Sequence, residues 1–187
     1  MRQSAIMSAL VMALATGSIT QSASACGLEG GLGDAFSAAH EGSLDVAFAT
    51  RDAIASGWLI PDPVLETEAA HDRADERLRT FAAGLLVAQR GARPFAVLLV
   101  ESGVWTRVSP KAGRWSLATH IEKPGSSETA VLASEPALRK LVDGQLSADQ
   151  ALSNGVLTVH GEPAERDRLI AMLRQVYPDR SAETALR

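Results

Sequence analysis

A continuous apolar run at residues 95–100, followed by two segments of alternating polarity, constrains the fold of this 187-residue chain more than any other feature. The run reads FAVLLV, which has the length of a strand and the composition expected when both faces of a sheet are covered. Ser-Gly at residues 102–103 suits a tight turn between two strands. Polar and apolar residues then alternate along the segments on either side of a second turn, as they do in a strand with one buried face. We therefore predict a three-stranded antiparallel meander whose third strand carries, on one face, Trp115, Leu117 and Ile121.

Helical periodicity precedes this meander. Apolar residues at helical spacing predict one helix over residues 44–58 and another over residues 66–90, because residues three and four apart share a helix face. The intervening segment at residues 61–63 reads Pro-Asp-Pro, which ends any helix. We expect the charged half of the second helix, residues 71–79, to be solvated.

After the meander the pattern becomes strand, two short helices, strand and helix. A fourth strand is predicted at residues 128–133 and a fifth at residues 156–160. Ser147 and Gln150 form a capping box that begins the second short helix, and the last helix is expected at residues 162–176. Strands grouped before most of the helices favour an α+β fold, with a mainly antiparallel five-stranded sheet covered on one side by helices.

The N-terminus has the layout of a secretion signal peptide. Arg2 is followed by an uncharged apolar stretch at residues 5–15, which is too short to cross a bilayer. Residues 23–26 read Ala-Ser-Ala-Cys, which fits an A-x-A cleavage site and, less closely, a lipoprotein site at which Cys26 would be acylated. We therefore expect an exported protein that is either periplasmic or a membrane-anchored lipoprotein, and the sequence leaves both alternatives open.

These features divide the chain into four parts and exclude one class of partner. We expect a signal peptide at residues 1–25, a glycine-rich leader with an amphipathic helix at 26–63, the main domain at 64–177 and a loose tail at 178–187. The net charge is -4, and the basic residues are dispersed, so no nucleic-acid partner is predicted. Because Cys26 is the only cysteine, the chain has no internal disulfide.

No motif in the sequence points to catalysis, a metal or a cofactor. The nucleophile elbow, the phosphate-binding loop and the H-E-x-x-H helix are all absent from the sequence. The four histidines have no ligand-like spacing, although His120 and His160 both sit late in predicted strands and could be neighbours in the sheet. We therefore predict a non-catalytic protein without a cofactor.

Within residues 134–173, Leu141 and Gly144 mark the end of one predicted helix, Ala151 and Gly155 the end of the next, and Gly161 and Glu162 the start of the last helix. This pattern resembles the C-terminal half of the sterol carrier protein 2 family. In that family a helix ends in leucine and glycine, a short helix ends in a small residue and glycine, a strand follows, and glycine with an acidic residue opens the last helix. The matching positions here are Leu141, Gly144, Ala151, Gly155, Val159, Gly161 and Glu162. The resemblance extends over residues 66–176, and this chain departs from familiar members by its export signal and its N-terminal extension.

The resemblance implies a cavity between sheet and helices that holds a lipid or another apolar molecule without covalent chemistry. The candidate lining residues are Phe81, Leu85, Leu98, Trp105, Trp115, Leu117, Leu141 and Met172. The sequence alone does not distinguish a core with such a cavity from a closed core. The alternative is therefore a structural or interaction protein, an accessory subunit of a membrane-associated complex that binds its protein partner through residues 44–60.

Overall fold

The computed structural model describes residues 40–85, 93–111, 113–125 and 127–179. The signal peptide, Cys26, the glycine-rich leader up to residue 39 and most of the predicted tail lie outside the described residues. The helices are α1 (Ser43–Ala55), α2 (Thr67–Gly84), α3 (Glu135–Val142), α4 (Ala148–Ser153) and α5 (Pro163–Val176). The strands are β1 (Phe95–Leu99), β2 (Val104–Lys111), β3 (Arg114–Thr119), β4 (Ala130–Ala133) and β5 (Leu157–His160).

The five strands form one sheet in the order β3-β2-β1-β4-β5. Three neighbouring pairs are antiparallel, whereas β1 and β4 are parallel. The α+β class and the mainly antiparallel sheet are therefore confirmed. After the meander the chain crosses the sheet and adds β4 to the free edge of β1, so the fourth strand does not pair with the third.

Strand β1 lies at the centre of the sheet and is buried along its whole length. Phe95, Val97 and Leu99 face the main core, which α2, α3, α4 and α5 cover. Ala96 and Leu98 point to the opposite face, because side chains alternate along a strand. An apolar run on a central strand therefore requires cover on both faces of the sheet.

Helix α1 supplies part of the cover on the second face. Val46 is fully buried there and packs in a cluster with Leu98, Trp105 and Leu132. The helical cover is therefore not restricted to one side of the sheet, and the prediction of one-sided cover is wrong. Leu59, directly after α1, is buried in the main core, so the segment before residue 64 packs into the same domain as the segment after it.

The predicted meander differs from the structure at the end of its third strand. Trp115 and Leu117 pack toward the main core, but Ile121 packs against the cluster on the second face. The reason is His120, whose φ of 55° lies in the left-handed region and breaks the alternation. The prediction that Ile121 shares a face with Trp115 and Leu117 is therefore wrong.

Local capping begins α4 as the sequence predicts. The backbone N–H of Gln150 donates to Ser147 Oγ at 3.1 Å, and the backbone N–H of Ser147 donates to Gln150 Oε1 at 3.0 Å. This reciprocal pair satisfies two backbone donors at the helix N-terminus.

Within the described residues, no helix combines the length and the apolar composition needed to cross a bilayer.

Candidate functional site

The eight residues predicted to line one cavity do not converge on one space. Leu98 and Trp105 lie on the second face of the sheet with Val46, while the other six lie on the side of the main core. The separation follows from strand register, because Leu98 pairs with Trp105 across β1 and β2 and directly paired residues share a face. The eight residues therefore cannot line a single site.

The side chains of the main core close on one another at the predicted positions. Phe81, Leu85 and Leu141 are completely buried. The ring of Phe81 stacks on Tyr177 with centroids 5.8 Å apart, and Trp115 meets Phe95 edge-on at the same distance. Aromatic contacts of this kind fill space between helix and sheet, so packed side chains occupy the place where the resemblance implied a ligand.

Two of the predicted residues lie beside small depressions at the rim of the domain. Leu141 borders a depression of about 250 Å³ with Gly144 and Tyr177. Met172 borders one of about 30 Å³ with Phe95, which has room for little more than a water molecule. Neither depression gathers the predicted lining residues around one space.

A larger cleft, of about 600 Å³, lies at the outer end of the domain. We call it the α1 cleft, because α1 forms one wall. The other walls are the linker between α1 and α2, the first turns of α2, the turn between β1 and β2, and the start of α3. Its lining residues are Ala47, Thr50, Arg51, Ile54, Pro61, Asp62, Pro63, Val64, Leu65, Ala70, His71, Arg73, Val100, Glu101, Ser102, Glu135 and Pro136.

The α1 cleft has an apolar side that extends to its mouth. Ile54 and Val100 contribute from α1 and from the end of β1, and Val64 and Leu65 contribute from the linker. The Val64 side chain is completely exposed and Leu65 is 41% exposed. Large apolar side chains left in water at the rim of a concave surface are typical of binding sites.

Three polar atoms without a hydrogen-bond partner belong to residues that line the same cleft. They are Nε2 of His71, Nε of Arg73 and Oγ of Ser102, and all three are buried. Buried polar atoms in folded proteins nearly always have a partner, since leaving one unpaired costs about 1–3 kcal/mol. Because none of the three atoms is accessible to solvent, they lie behind the wall of the cleft and are not presented to a ligand.

A buried ion network holds the linker against α2 and α3 and so shapes the cleft. Asp62 accepts hydrogen bonds from Arg77 at 2.5 and 2.8 Å and from Arg139 at 2.7 Å. Glu135 accepts one from Arg77 at 3.2 Å. The carboxylates of Asp62 and Glu135 are only 8% and 3% exposed. The flanking prolines restrict the linker, which keeps Asp62 in place between the two helices.

Arg73 is the least engaged cation of this network. Its Nη1 donates to the carbonyl oxygen of Pro63 at 2.8 Å, and its Nη2 lies 3.5 Å from a carboxylate oxygen of Glu135. Its Nε makes no hydrogen bond. Because a guanidinium has five donors, Arg73 retains capacity for another acceptor.

Glu101 lies in the turn between β1 and β2 and is an exposed residue. Desolvation of its carboxyl group raises its pKa, and this effect is partly offset by the backbone N–H of Glu135, which donates to Glu101 Oε2 at 2.8 Å.

The residues of this network were not predicted as a site from the sequence. Residues 71–79 were expected to be solvated, whereas the side chains of Arg73 and Arg77 are only 22% and 12% exposed. One signal was present: two arginines four residues apart share a helix face, and the preceding Pro-Asp-Pro segment carries an acid within reach. The missing information was the position of α3, which brings Glu135 and Arg139 to that face.

The histidines are paired differently from the expectation. His120 and His160 lie at opposite edges of the sheet, because β4 and β5 add to β1 and not to β3. Instead His71 meets His120 with ring centroids 5.2 Å apart, and His40 meets His160 at 4.9 Å.

Among residues 40–85, 93–111, 113–125 and 127–179, no group of three or more His, Cys, Asp or Glu side chains could hold a metal ion.

Comparisons with known proteins give only distant likenesses. No protein-family model matches the sequence, and no curated protein matches it at a significant level. Two structures of the sec-alkylsulfatase Pisa1, from Pseudomonas sp., are similar over 43% of this chain at 11% identity, with TM-scores of 0.35 and, for a double mutant, 0.36. This chain spans only 12% of the length of those sulfatase chains.

A third solved structure is similar over more of the chain. It is a conserved hypothetical protein from Thermus thermophilus, suggested to be a sterol carrier protein. The likeness covers 63% of this chain and 93% of the Thermus protein, at 18% identity and a TM-score of 0.34. At these identities and TM-scores, the likenesses assign neither a ligand nor a reaction to this chain.

Proposed function

We propose that this chain is an exported, non-catalytic binding protein that holds a lipid or another apolar molecule in the α1 cleft. The observation that carries the proposal is the combination in one cleft of a volume of about 600 Å³, an apolar wall and polar lining residues. Sites for small molecules typically measure about 300–1,000 Å³ and place a few polar groups in an apolar lining. The proposed ligand site therefore lies on the N-terminal side of the domain and not in the interior between sheet and helices, where the resemblance implied it.

The proposal explains why the N-terminal extension is part of the fold. Val46 anchors α1 on the sheet, and Ala47 and Ile54 of the same helix line the cleft. A domain that lacked α1 would have no wall on this side. The extension therefore creates the site, and the sheet and the other helices support it.

The experiment measures binding of 1-dodecanol to the purified chain by displacement of a fluorescent apolar probe. In a cleft-filling variant, Ala47→Trp, the indole occupies the site, so binding is expected to fall at least about tenfold. The matched control is Ala55→Trp, because Ala55 is an exposed residue of the same helix outside the cleft lining. Equal binding by Ala47→Trp and Ala55→Trp, or no binding by the unmodified chain, would refute the proposal.

One observation favours a second function, docking to a protein partner through α1 and the residues after it. Leu44 and Phe48 are 61% and 55% exposed and lie one turn apart on α1, and Ile60 is 64% exposed. A group of exposed apolar residues on a packed helix is typical of an interaction surface. Serine substitutions at Leu44 and Phe48 should abolish association with a membrane complex in the source cell. Binding of dodecanol should remain unchanged in the same variant. Unchanged association would exclude these residues as the docking surface.

A further inference from the structure

The outward side of α1 carries an apolar stripe. Leu44 and Phe48 are 61% and 55% exposed, and Ala55 is exposed in line with them. At about 3.6 residues per turn, the three side chains point within about 40° of one another. The opposite side of the helix is anchored by Val46, which is completely buried. The fold therefore holds α1 in place and presents the stripe to the solvent.

Acidic residues flank this stripe on one side. Asp45 and Asp52 are both exposed, and because they are seven residues apart, nearly two turns, they lie on the same flank of the helix. Glu41 is exposed just before the helix begins. Residues 41–55 contain these three acids and one arginine. We call the stripe and its acidic flank the α1 outer face, which consists of Leu44, Asp45, Phe48, Asp52 and Ala55.

The arginine of this segment, Arg51, shows how the α1 outer face receives a cation. Its guanidinium carbon lies 5.3 Å from the centre of the Phe48 ring, and its Nη2 lies 2.8 Å from Oδ1 of Asp52. Both side chains of this ion pair are more than two-thirds exposed, and such a pair contributes less than about 1 kcal/mol. A cation from a partner can therefore replace Arg51 at little cost, and it meets both a carboxylate and the face of an aromatic ring.

We infer that the α1 outer face docks a basic amphipathic helix of a protein partner, whose apolar side chains lie on Leu44 and Phe48 and whose lysines or arginines pair with Asp45 and Asp52. This inference rests on the second proposed function, docking through α1, and adds the chemistry of the partner. Apolar anchors at helical spacing are the usual contacts between two such helices, and complementary charges beside them select the partner.

The acidic flank argues against two other occupants. An anionic lipid surface carries a negative potential that attracts basic segments, whereas Asp45 and Asp52 are acidic. A second copy of α1 would bring the same excess of acid to the contact. The charge of the face is therefore complementary to a basic helix and to neither of these alternatives.

The experiment measures binding of two fluorescent amphipathic peptides of about 14 residues, four helical turns, to the purified chain by anisotropy. One peptide consists of leucine and lysine at helical spacing, and the other has glutamate in place of every lysine. The leucine–lysine peptide should bind at least about tenfold more tightly than the leucine–glutamate peptide. Its affinity should fall as the salt concentration rises, and vesicles of phosphatidylglycerol should not bind.

Substitutions of apolar residues locate the contact on α1. The double variant Leu44→Ser, Phe48→Ser should bind the leucine–lysine peptide at least about tenfold more weakly, since apolar anchors dominate such interfaces. Val64→Ser is the control, because Val64 is completely exposed but lies outside α1. Loss of peptide binding in Val64→Ser, and not in the double variant, would place the peptide at the cleft rim and overturn the inference.

A matched pair of aspartates tests the charge. Asp52→Asn should lower the affinity for the leucine–lysine peptide about two- to fivefold at low salt. The control is Asp167→Asn on α5, because Asp167 also pairs with the preceding residue, Arg166, and both aspartate side chains are 68% exposed. Equal affinities of Asp52→Asn and Asp167→Asn would show that only the net charge of the chain attracts the peptide, and would overturn the inference.

The remaining outcomes separate the inference from the proposed functions. If both peptides bind equally and the double serine variant binds neither, α1 is a docking surface but the inferred basic partner is wrong. If neither peptide binds, docking of a helix on α1 is rejected, whereas binding of dodecanol in the α1 cleft is measured independently. If phosphatidylglycerol vesicles bind and the double serine variant does not bind them, the face belongs to a membrane contact and the inference is overturned.

Discussion

Removing the carboxylate of Asp62 should destabilise the domain far more than removing an exposed carboxylate with a similar ion pair. The Asp62 side chain is 8% exposed and accepts three hydrogen bonds from Arg77 and Arg139. In Asp62→Ala, Arg77 would keep only Glu135, although its own side chain is 12% exposed. Glu135 alone would then face the guanidinium groups of the network, so incomplete compensation of buried charge is the main source of the expected loss of stability.

The magnitude follows from the burial of the three groups. Breaking a buried ion pair by removing one partner costs about 3–5 kcal/mol. Arg139 is 30% exposed and can turn toward water, so we take the lower end, about 3 kcal/mol of the free energy of unfolding. For a domain with a total stability of about 5–15 kcal/mol, this is a large fraction.

Equilibrium unfolding in urea measures this loss. With a denaturant slope of about 1–3 kcal/mol/M, the unfolding midpoint of Asp62→Ala should fall by about 1–3 M. The control is Asp52→Ala, because Asp52 pairs with Arg51 at 2.8 Å but both side chains are more than two-thirds exposed. An exposed pair contributes less than about 1 kcal/mol. Equal midpoints for Asp62→Ala and Asp52→Ala would contradict the argument that burial makes the network important.

Three further predictions concern other parts of the chain. The pKa of His160 lies below its ordinary value of 6.5, first because of burial and then because of His40. The unfolded state therefore binds more protons at this residue than the folded state. The contribution of His160 to stability should be fully present above pH 6.5 and should decrease as the pH falls toward the lowered pKa. His160→Gln should lessen this decrease between about pH 7.5 and 5.5 in urea unfolding, and an unchanged decrease would argue against the assignment. Gly42→Ala should destabilise more than Gly57→Ala, since both have positive φ but only the Cβ at residue 42 would lie 2.8 Å from the His160 ring; equal unfolding midpoints would count against this close approach. If Cys26 is acylated, labelling of cells with a radioactive fatty acid should mark the wild-type chain and not Cys26→Ser, whereas an unlabelled wild-type chain would contradict acylation.

The α1 cleft and the packed core have opposite physical requirements, which explains why they occupy different parts of the domain. The core around Phe81 and Leu141 stabilises the fold because its side chains leave no room for a guest. The cleft keeps exposed apolar side chains at its rim, which contribute no apolar burial to the fold in the absence of a ligand. The ion network of Asp62 and Glu135 holds the cleft wall in place without filling the space beside it.

The elements of this fold could be predicted from the sequence because their signals are local. The apolar run of β1, the alternation in β2 and the capping box at Ser147 each involve neighbours within a few residues, and the structure has them where they were expected. The exception is the end of β3, where the left-handed backbone of His120 turns Ile121 to the other face. A positive φ at a residue other than glycine has no dependable sequence signal.

The candidate site was decided by the tertiary structure. The sequence alone determined that a central strand with two apolar faces needs cover on both sides, but not that α1 would supply it through Val46. Nor did it determine that Asp62, Arg77 and Arg139 would meet, because these residues are up to 77 positions apart and only the crossing from β3 to β4 brings them together. Long-range juxtaposition of this kind depends on topology and packing, which are properties of the whole chain and not of any local pattern.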